Sequence, residues 1–160
     1  MENETYYNIS LLTLAIVTGL TAGIFGCLMG YALYYLNFTE IRPNIILTPV
    51  AGGWKSNWAE IIIVSMVYGL ISIVPALIYY ALLRKKKSFA WGILYGAVLF
   101  VVVFFVLHPL YPNAKLLITY ELNTVLTGLT SFLLYGVFIG YSISYEYEES
   151  IYVKKLKGHS

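Results

Sequence analysis

The sequence predicts an all-α membrane protein, an antiparallel bundle of four transmembrane helices with both termini on the cytoplasmic side. Of its 160 residues 59% are hydrophobic and only 11% charged. A soluble domain carries about 25% charged residues, so this chain lacks the polar surface to cover a globule in water. Four apolar runs, residues 11–36, 61–83, 89–107 and 124–145, contain no charged residue. Each meets the requirement of about 20 residues for crossing a hydrocarbon core. Lipid offers no partner to backbone N–H and C=O groups, so runs of this length must be helices. The ten basic residues then set the orientation. Seven of them, Arg84, Lys85, Lys86, Lys87, Lys154, Lys155 and Lys157, lie on one side of this layout, and Arg42, Lys55 and Lys115 on the other. Positively charged loops stay in the cytoplasm, which places the N-terminus (1–10), the link 84–88 and the tail (146–160) inside and the loops 37–60 and 108–123 outside.

Taken in order, the first run is not a signal peptide: its leader has Glu2 and Glu4 but no Lys or Arg, it is too long, and no cleavage site follows. The lone cysteine, Cys27, reads as a buried thiol and excludes an internal disulfide. Asn57 with Glu60 three residues on reads as a capping pair for the second run, Pro75 should kink it, and Ser88 can cap the third. The tyrosines and tryptophans suit two interfacial belts, with Tyr6, Tyr7, Tyr79, Tyr80, Trp91, Tyr141 and Tyr145 inside. Tyr31, Tyr34, Tyr35, Trp54, Trp58, Tyr111 and Tyr120 would flank the outer boundary. The outer stretch 45–51, broken by Pro and Gly, is too short to span and should lie in the interface or tuck back against the bundle. The tail, acidic and then basic, either prolongs the fourth helix or docks a partner.

Helices in lipid associate through small residues that let backbones approach. Gly19, Gly23, Gly26 and Gly30 fall at i, i+4, i+7 and i+11, and Ser65, Gly69, Ser72 and Ala76 repeat that spacing, so the two stripes should face each other. Gly136 and Gly140 mark the fourth helix, Gly92 and Gly96 the inner half of the third. The bulky outer half, 101–107, should face lipid. Homodimerisation is the competing use of these glycines. The Pro-Asn pairs at 43–44 and 112–113 do not amount to a duplication.

The strings Asn37-Phe38-Thr39-Glu40-Ile41-Arg42-Pro43-Asn44 and Tyr135-Gly136-Val137-Phe138-Ile139-Gly140-Tyr141-Ser142-Ile143-Ser144-Tyr145-Glu146-Tyr147 resemble the YqhR family, as do the basic link and Phe-Val-Leu-His-Pro at 105–109. That family consists of small membrane proteins of Gram-positive, spore-forming bacteria. The resemblance implies a bacterial plasma membrane and a four-span layout, and no activity.

No phosphate-binding loop, zinc-protease pair, nucleophile elbow or Cys/His cluster occurs, so neither catalysis nor a cofactor or metal is expected, and nothing suggests nucleic acid. His108 could pair with Glu60 or Glu121 as a small outer site, although helix-end charge preference also explains their placement. The cluster Arg84, Lys85, Lys86 and Lys87 sets topology and could meet anionic lipid head groups. Two function classes stay open beside a membrane enzyme. One is an accessory protein of the plasma membrane, whose partners are the lipid bilayer and another membrane protein or a second copy. Its outer recognition surface would comprise Glu40, Arg42, Trp54 and Trp58. The other is a subunit of an oligomeric channel or transporter, for which Thr127, Thr130, Ser131 and Tyr135 are the candidate lining.

Overall fold

The computed structural model describes residues 10–47, 58–86, 88–106 and 119–157. The chain is all-helical over these residues. Helix α1 (Leu11–Tyr35) is capped by Ser10, whose hydroxyl accepts from the Thr13 N–H. A 3-10 turn (Pro43–Leu47) precedes α2 (Trp58–Leu83). Helix α3 (Phe89–Val101), capped by Ser88, continues as a π-helical turn (Val102–Val106), and α4 runs from Leu122 to Lys157. Leu11–Tyr35, Trp58–Leu83 and Leu122–Tyr152 are long and apolar enough to cross a membrane, and Phe89–Phe105 is a shorter apolar helix. The proposed Asn57 cap lies outside the described residues. The fourth helix does not stop at 145 but runs on through the acidic and basic tail to Lys157, and the second begins at Trp58 rather than 61.

The closest pairs are α1 with α2 and α3 with α4. A Cβ added at Gly19 would lie 2.7 Å from Ala76 Cβ and 2.9 Å from Ser72 O, and one at Gly23 would lie 2.8 Å from Gly69 Cα. Higher numbers on α1 meet lower numbers on α2, so the two run in opposite senses along their contact. No side chain fits between them. Gly26 is different: it is exposed, and nothing stands within 4 Å of an added Cβ. The buried row on α1 is Ala15, Gly19, Gly23, Cys27 and Tyr31, every fourth residue. Such an i+4 ridge is inclined to the helix axis. At 100° per residue, Gly26 falls about 100° away from Cys27 on the same level. Gly30 returns to a contact, but with Pro43 of the 3-10 turn, 3.1 Å from its would-be Cβ.

The α3–α4 contact is built in the same way. An added Cβ at Gly92 would meet Gly136 O and Val137 Cα at 3.0 Å, and one at Gly140 would meet Gly92 Cα at 3.0 Å. Further along, Phe100 and Phe104 pack on Phe132 with centroids 5.9 and 6.3 Å away. The outer half of α3 is therefore not wholly turned outward: Phe104 faces α4, while Val101, Val102 and Phe105 are exposed.

Tyrosine hydroxyls join the two pairs. Pro75 removes one N–H from the α2 ladder. Close to it, Tyr135 donates to Ser72 O at 3.1 Å, and Tyr95 donates to the carbonyl of Pro75 itself at 2.5 Å. The Ser72 hydroxyl also bonds Tyr135, and the Tyr79 hydroxyl reaches Ser144 at 3.3 Å. Tyr79 and Tyr95 meet edge to face, with Ile139 and Ile143 completely buried in the same cluster. Tyr79 and Tyr31 are thus core residues rather than members of an interfacial belt.

These contacts predict a sharp contrast between neighbouring glycines. Gly23→Leu should cost about 1–3 kcal/mol by forcing α1 away from α2, while Gly26→Leu should stay within about 0.5 kcal/mol. Unfolding of the purified protein in mixed detergent measures both, and equal damage would contradict the seam.

Candidate functional site

The functional groups of the described chain gather where α1 ends. Its apolar run stops at Leu36 and the chain turns at Asn37, whose φ is 61°. Asparagine tolerates this left-handed conformation, usually glycine's, at a helix end. Phe38 N–H donates to Leu33 O at 2.9 Å and Asn37 N–H to Tyr34 O at 3.0 Å, the paired bonds of a Schellman turn. The following segment, a strap over residues 37–47, is then fastened to three helices. Thr127 of α4 donates to Phe38 O at 3.1 Å, and Glu40 N–H donates to the buried Thr124 hydroxyl at 3.0 Å. Pro43 packs on Gly30 of α1, and Ile46 and Leu47 cover the cluster of Cys27, Tyr31 and Val64.

Arg42 supplies the third attachment. Its guanidinium lies 3.4 Å from Glu60 Oε2 in the first turn of α2 and 6.0 Å from the Tyr34 ring centroid. Glu60 is 2% exposed and Arg42 26%. A carboxylate buried to that degree needs an opposite charge, because the desolvation of an uncompensated ion costs several kcal/mol. The remaining oxygen of Glu60, the Tyr31 hydroxyl and the Ser65 hydroxyl are buried with no hydrogen-bond partner among the described residues.

Outside this cluster the strap and the start of α4 enclose an open cleft of about 370 Å³. It is lined by Tyr34, Tyr35, Asn37, Glu40, Glu121 and Asn123, among others. Glu40 and Glu121 therefore share one cavity. Trp58 stands apart on α2, 80% exposed.

The sequence-predicted residues accordingly separate. Glu60 and Arg42 come together in a pair whose Glu60 is buried and whose Arg42 is half-buried, while Glu121 lines the cleft with Glu40. His108, Trp54 and Lys87 lie outside the described residues. At the opposite end of the molecule Arg84 lies between the rings of Tyr80 and Tyr147, 4.8 and 5.3 Å from their centroids, and Lys86 stands 5.0 Å from that of Trp91. Lys85 is exposed beside them. Reading the sequence missed the Arg42–Glu60 pair. A single Arg in an outer loop and a single Glu at the head of an apolar helix were the available signal. The Leu-Asn-Phe string that ends the first run was the signal for the turn at Asn37.

The four α4 hydroxyls are occupied within the chain: Thr127 with Phe38 O, Thr130 with Leu126 O at 2.8 Å, Ser131 with Thr127 O at 2.8 Å, and Tyr135 with Ser72. Among the described residues no three of His, Cys and Glu come together as metal ligands. What the described residues of this end offer chemically is a fixed, acidic and aromatic surface.

The ion pair predicts non-additive mutants. Arg42→Met leaves the Glu60 carboxylate buried alone and should cost at least about 1–3 kcal/mol. The double variant Arg42→Met/Glu60→Met should recover most of that loss, because the pair's desolvation cost vanishes with it. Thermal unfolding of the three variants checks the cycle, and additive losses would mean that the two charges do not interact.

Comparison with known proteins agrees with the helical, apolar character of the chain. The sequence pattern of the family described as conserved membrane protein YqhR matches residues 1–157. Uncharacterized protein YqhR of Bacillus subtilis (strain 168) is 41% identical over 133 residues, covering 82% of this chain and 75% of its own. No solved structure matches. The chain belongs to the YqhR family of conserved membrane proteins.

Proposed function

We propose that this chain crosses the bacterial plasma membrane four times as an antiparallel bundle, with both termini in the cytoplasm, and acts there by association rather than by catalysis. The layout rests on three helices of spanning length and on Phe89–Phe105, which at seventeen residues reaches the short end of the range for a spanning helix. The short basic link between α2 and α3 supports the inward placement of that end. Single cysteines at Ser88, Asn113 and Ser160, each in a Cys27→Ser background, test the orientation with an impermeant thiol reagent. Position 113 alone should label in intact cells, and labelling at 88 or 160 would overturn it.

The observation that carries the association reading is the strap. It is held by bonds to α1, α2 and α4, so its outer face meets a partner without first being ordered, which saves the entropy that binding otherwise costs. That face presents Tyr34 and Tyr35 beside the carboxylates of Glu40 and Glu121, and favours a partner carrying basic residues. The α4 hydroxyls named for a pore lining each make a bond within the chain, to its own carbonyls or to Ser72, which supports a structural role for them.

A photo-crosslinking amino acid in place of Tyr35 tests this reading in living cells. A discrete adduct should form and should fall by about tenfold or more in Glu40→Lys/Glu121→Lys, the size expected when charge pairs are reversed. Trp58→Phe should reduce the adduct as well if that side chain belongs to the surface, and leave it unchanged if it only anchors the interface. Failure of the unaltered strap to form a specific adduct would end the association reading.

A further inference from the structure

The contact between α1 and α2 changes character along its length. At its glycine end the backbones themselves meet, with Gly19 against Ala76 and Gly23 against Gly69 and Ser72. Continuing that register one turn of α1 at a time brings Cys27 level with Ser65 and Tyr31 level with Glu60. The side chains agree. Cys27 and Tyr31 form one buried cluster with Val64, the neighbour of Ser65 one turn after Glu60. The Cys27 thiol faces the Ser65 hydroxyl, and the Tyr31 hydroxyl stands within electrostatic reach of Glu60 and Cys27. Ile46 and Leu47 of the strap cover this cluster. Three oxygens here, Tyr31 Oη, Glu60 Oε1 and Ser65 Oγ, are buried and complete no hydrogen bond of ordinary geometry among the described residues. We infer that the strap end of the α1–α2 contact is an internal hydration site, where one ordered water bridges Glu60, Tyr31 and Ser65.

Buried polar groups are hydrogen-bonded in nearly all folded proteins, so three unpaired oxygens on one helix contact call for a shared partner. Glu60 restricts what that partner is. A carboxylate oxygen only accepts, so whatever meets Oε1 must donate a proton or be a cation. The other oxygen of Glu60 already faces the Arg42 guanidinium at 3.4 Å. A bound cation would set a second positive charge against the same buried carboxylate, which a neutral donor avoids. Water satisfies all three groups at once. It donates to Glu60 Oε1 and to one hydroxyl oxygen, and it accepts the O–H of the other, about three bonds, the usual number for a buried water. The Cys27 thiol is too weak a partner to take its place beside Ser65. Other buried phenols of the bundle have no such need: Tyr95 donates to Pro75 O and Tyr135 to Ser72 O. The site lies within one helix pair, so it depends neither on the orientation in the membrane nor on association with a partner.

X-ray radiolysis tests this in the full chain, purified in detergent. Brief irradiation turns water into hydroxyl radicals where it stands, bound water included, and mass spectrometry then reads oxidation residue by residue. Tyr31 is 3% exposed and Tyr95 8%, so access from bulk solvent alone would oxidise Tyr95 the faster. With a water at the site the order reverses, and Tyr31 should be oxidised several times faster than Tyr95. The double variant Tyr31→Phe/Ser65→Ala leaves only Glu60, below the two to four polar partners that a buried water needs. In that variant oxidation of the buried Cys27 should fall several-fold. Exchange of sodium for choline at constant ionic strength should leave the unfolding midpoint of the unaltered protein where it was. Oxidation of Tyr31 no faster than that of Tyr95 would mean a dry contact and overturn the site. Unchanged oxidation of Cys27 in the folded double variant would do the same. A midpoint that follows the alkali cation would replace the water with an ion and overturn it as well.

Discussion

The rest of the structure depends on how closely two pairs of helix backbones approach. Between apolar helices in a lipid environment there is no water to expel, so association must come from packing and from the few polar bonds available. Gly19 and Gly23 bring α1 against Ser72, Ala76 and Gly69 of α2, and Gly92 and Gly96 bring α3 against Gly136 and its neighbours on α4. Both contacts place Cα atoms where a Cβ has no room.

The close approach also decides where hydroxyl groups can act. Tyr95 and Tyr135 reach the carbonyls of Pro75 and Ser72 on α2 only because the pairs stand near enough for a phenol to bridge them. Bonds of this kind are worth about 0.5–1.5 kcal/mol each when both partners are buried. Here they fix the rotation of one pair against the other, which apolar packing alone sets loosely. The strap performs a similar service where α1 ends and α2 begins, with Arg42 and Glu60 tying it to α2.

Much of this was legible from the sequence. Apolar length reveals helices irrespective of what they touch, so the long runs and their order could be read directly. Gly19 and Gly23 were legible as a contact because a four-residue repeat stays on one ridge. Gly26 was misleading for the same reason: angular position on a wheel ignores the inclination of the ridge, and by its level the partner helix has moved towards Cys27 and Tyr31. The tyrosines were harder still. Phenol rings recur in apolar runs both as interface anchors and as core bridges, and the acceptors that distinguish Tyr79 from Tyr141 lie on another helix. The Arg42–Glu60 pair joins residues 18 apart across a loop, so only three-dimensional placement brings them together. The extension of α4 beyond 145 was one of two readings of the tail, and its alternating charges alone did not decide between them.

That extension has a mechanical consequence. A continuous helix of 36 residues measures about 54 Å, against a hydrocarbon core of about 30 Å. Its first turn holds Thr124, to which the strap is bonded, so the helix is longer than a single crossing requires. With no proline and no break in its length, α4 is one continuous rod held close against α3 at Gly136 and Gly140. A small tilt imposed at the strap would be amplified into a sideways sweep of the basic end near Lys157. The same rod would carry a push in the reverse direction.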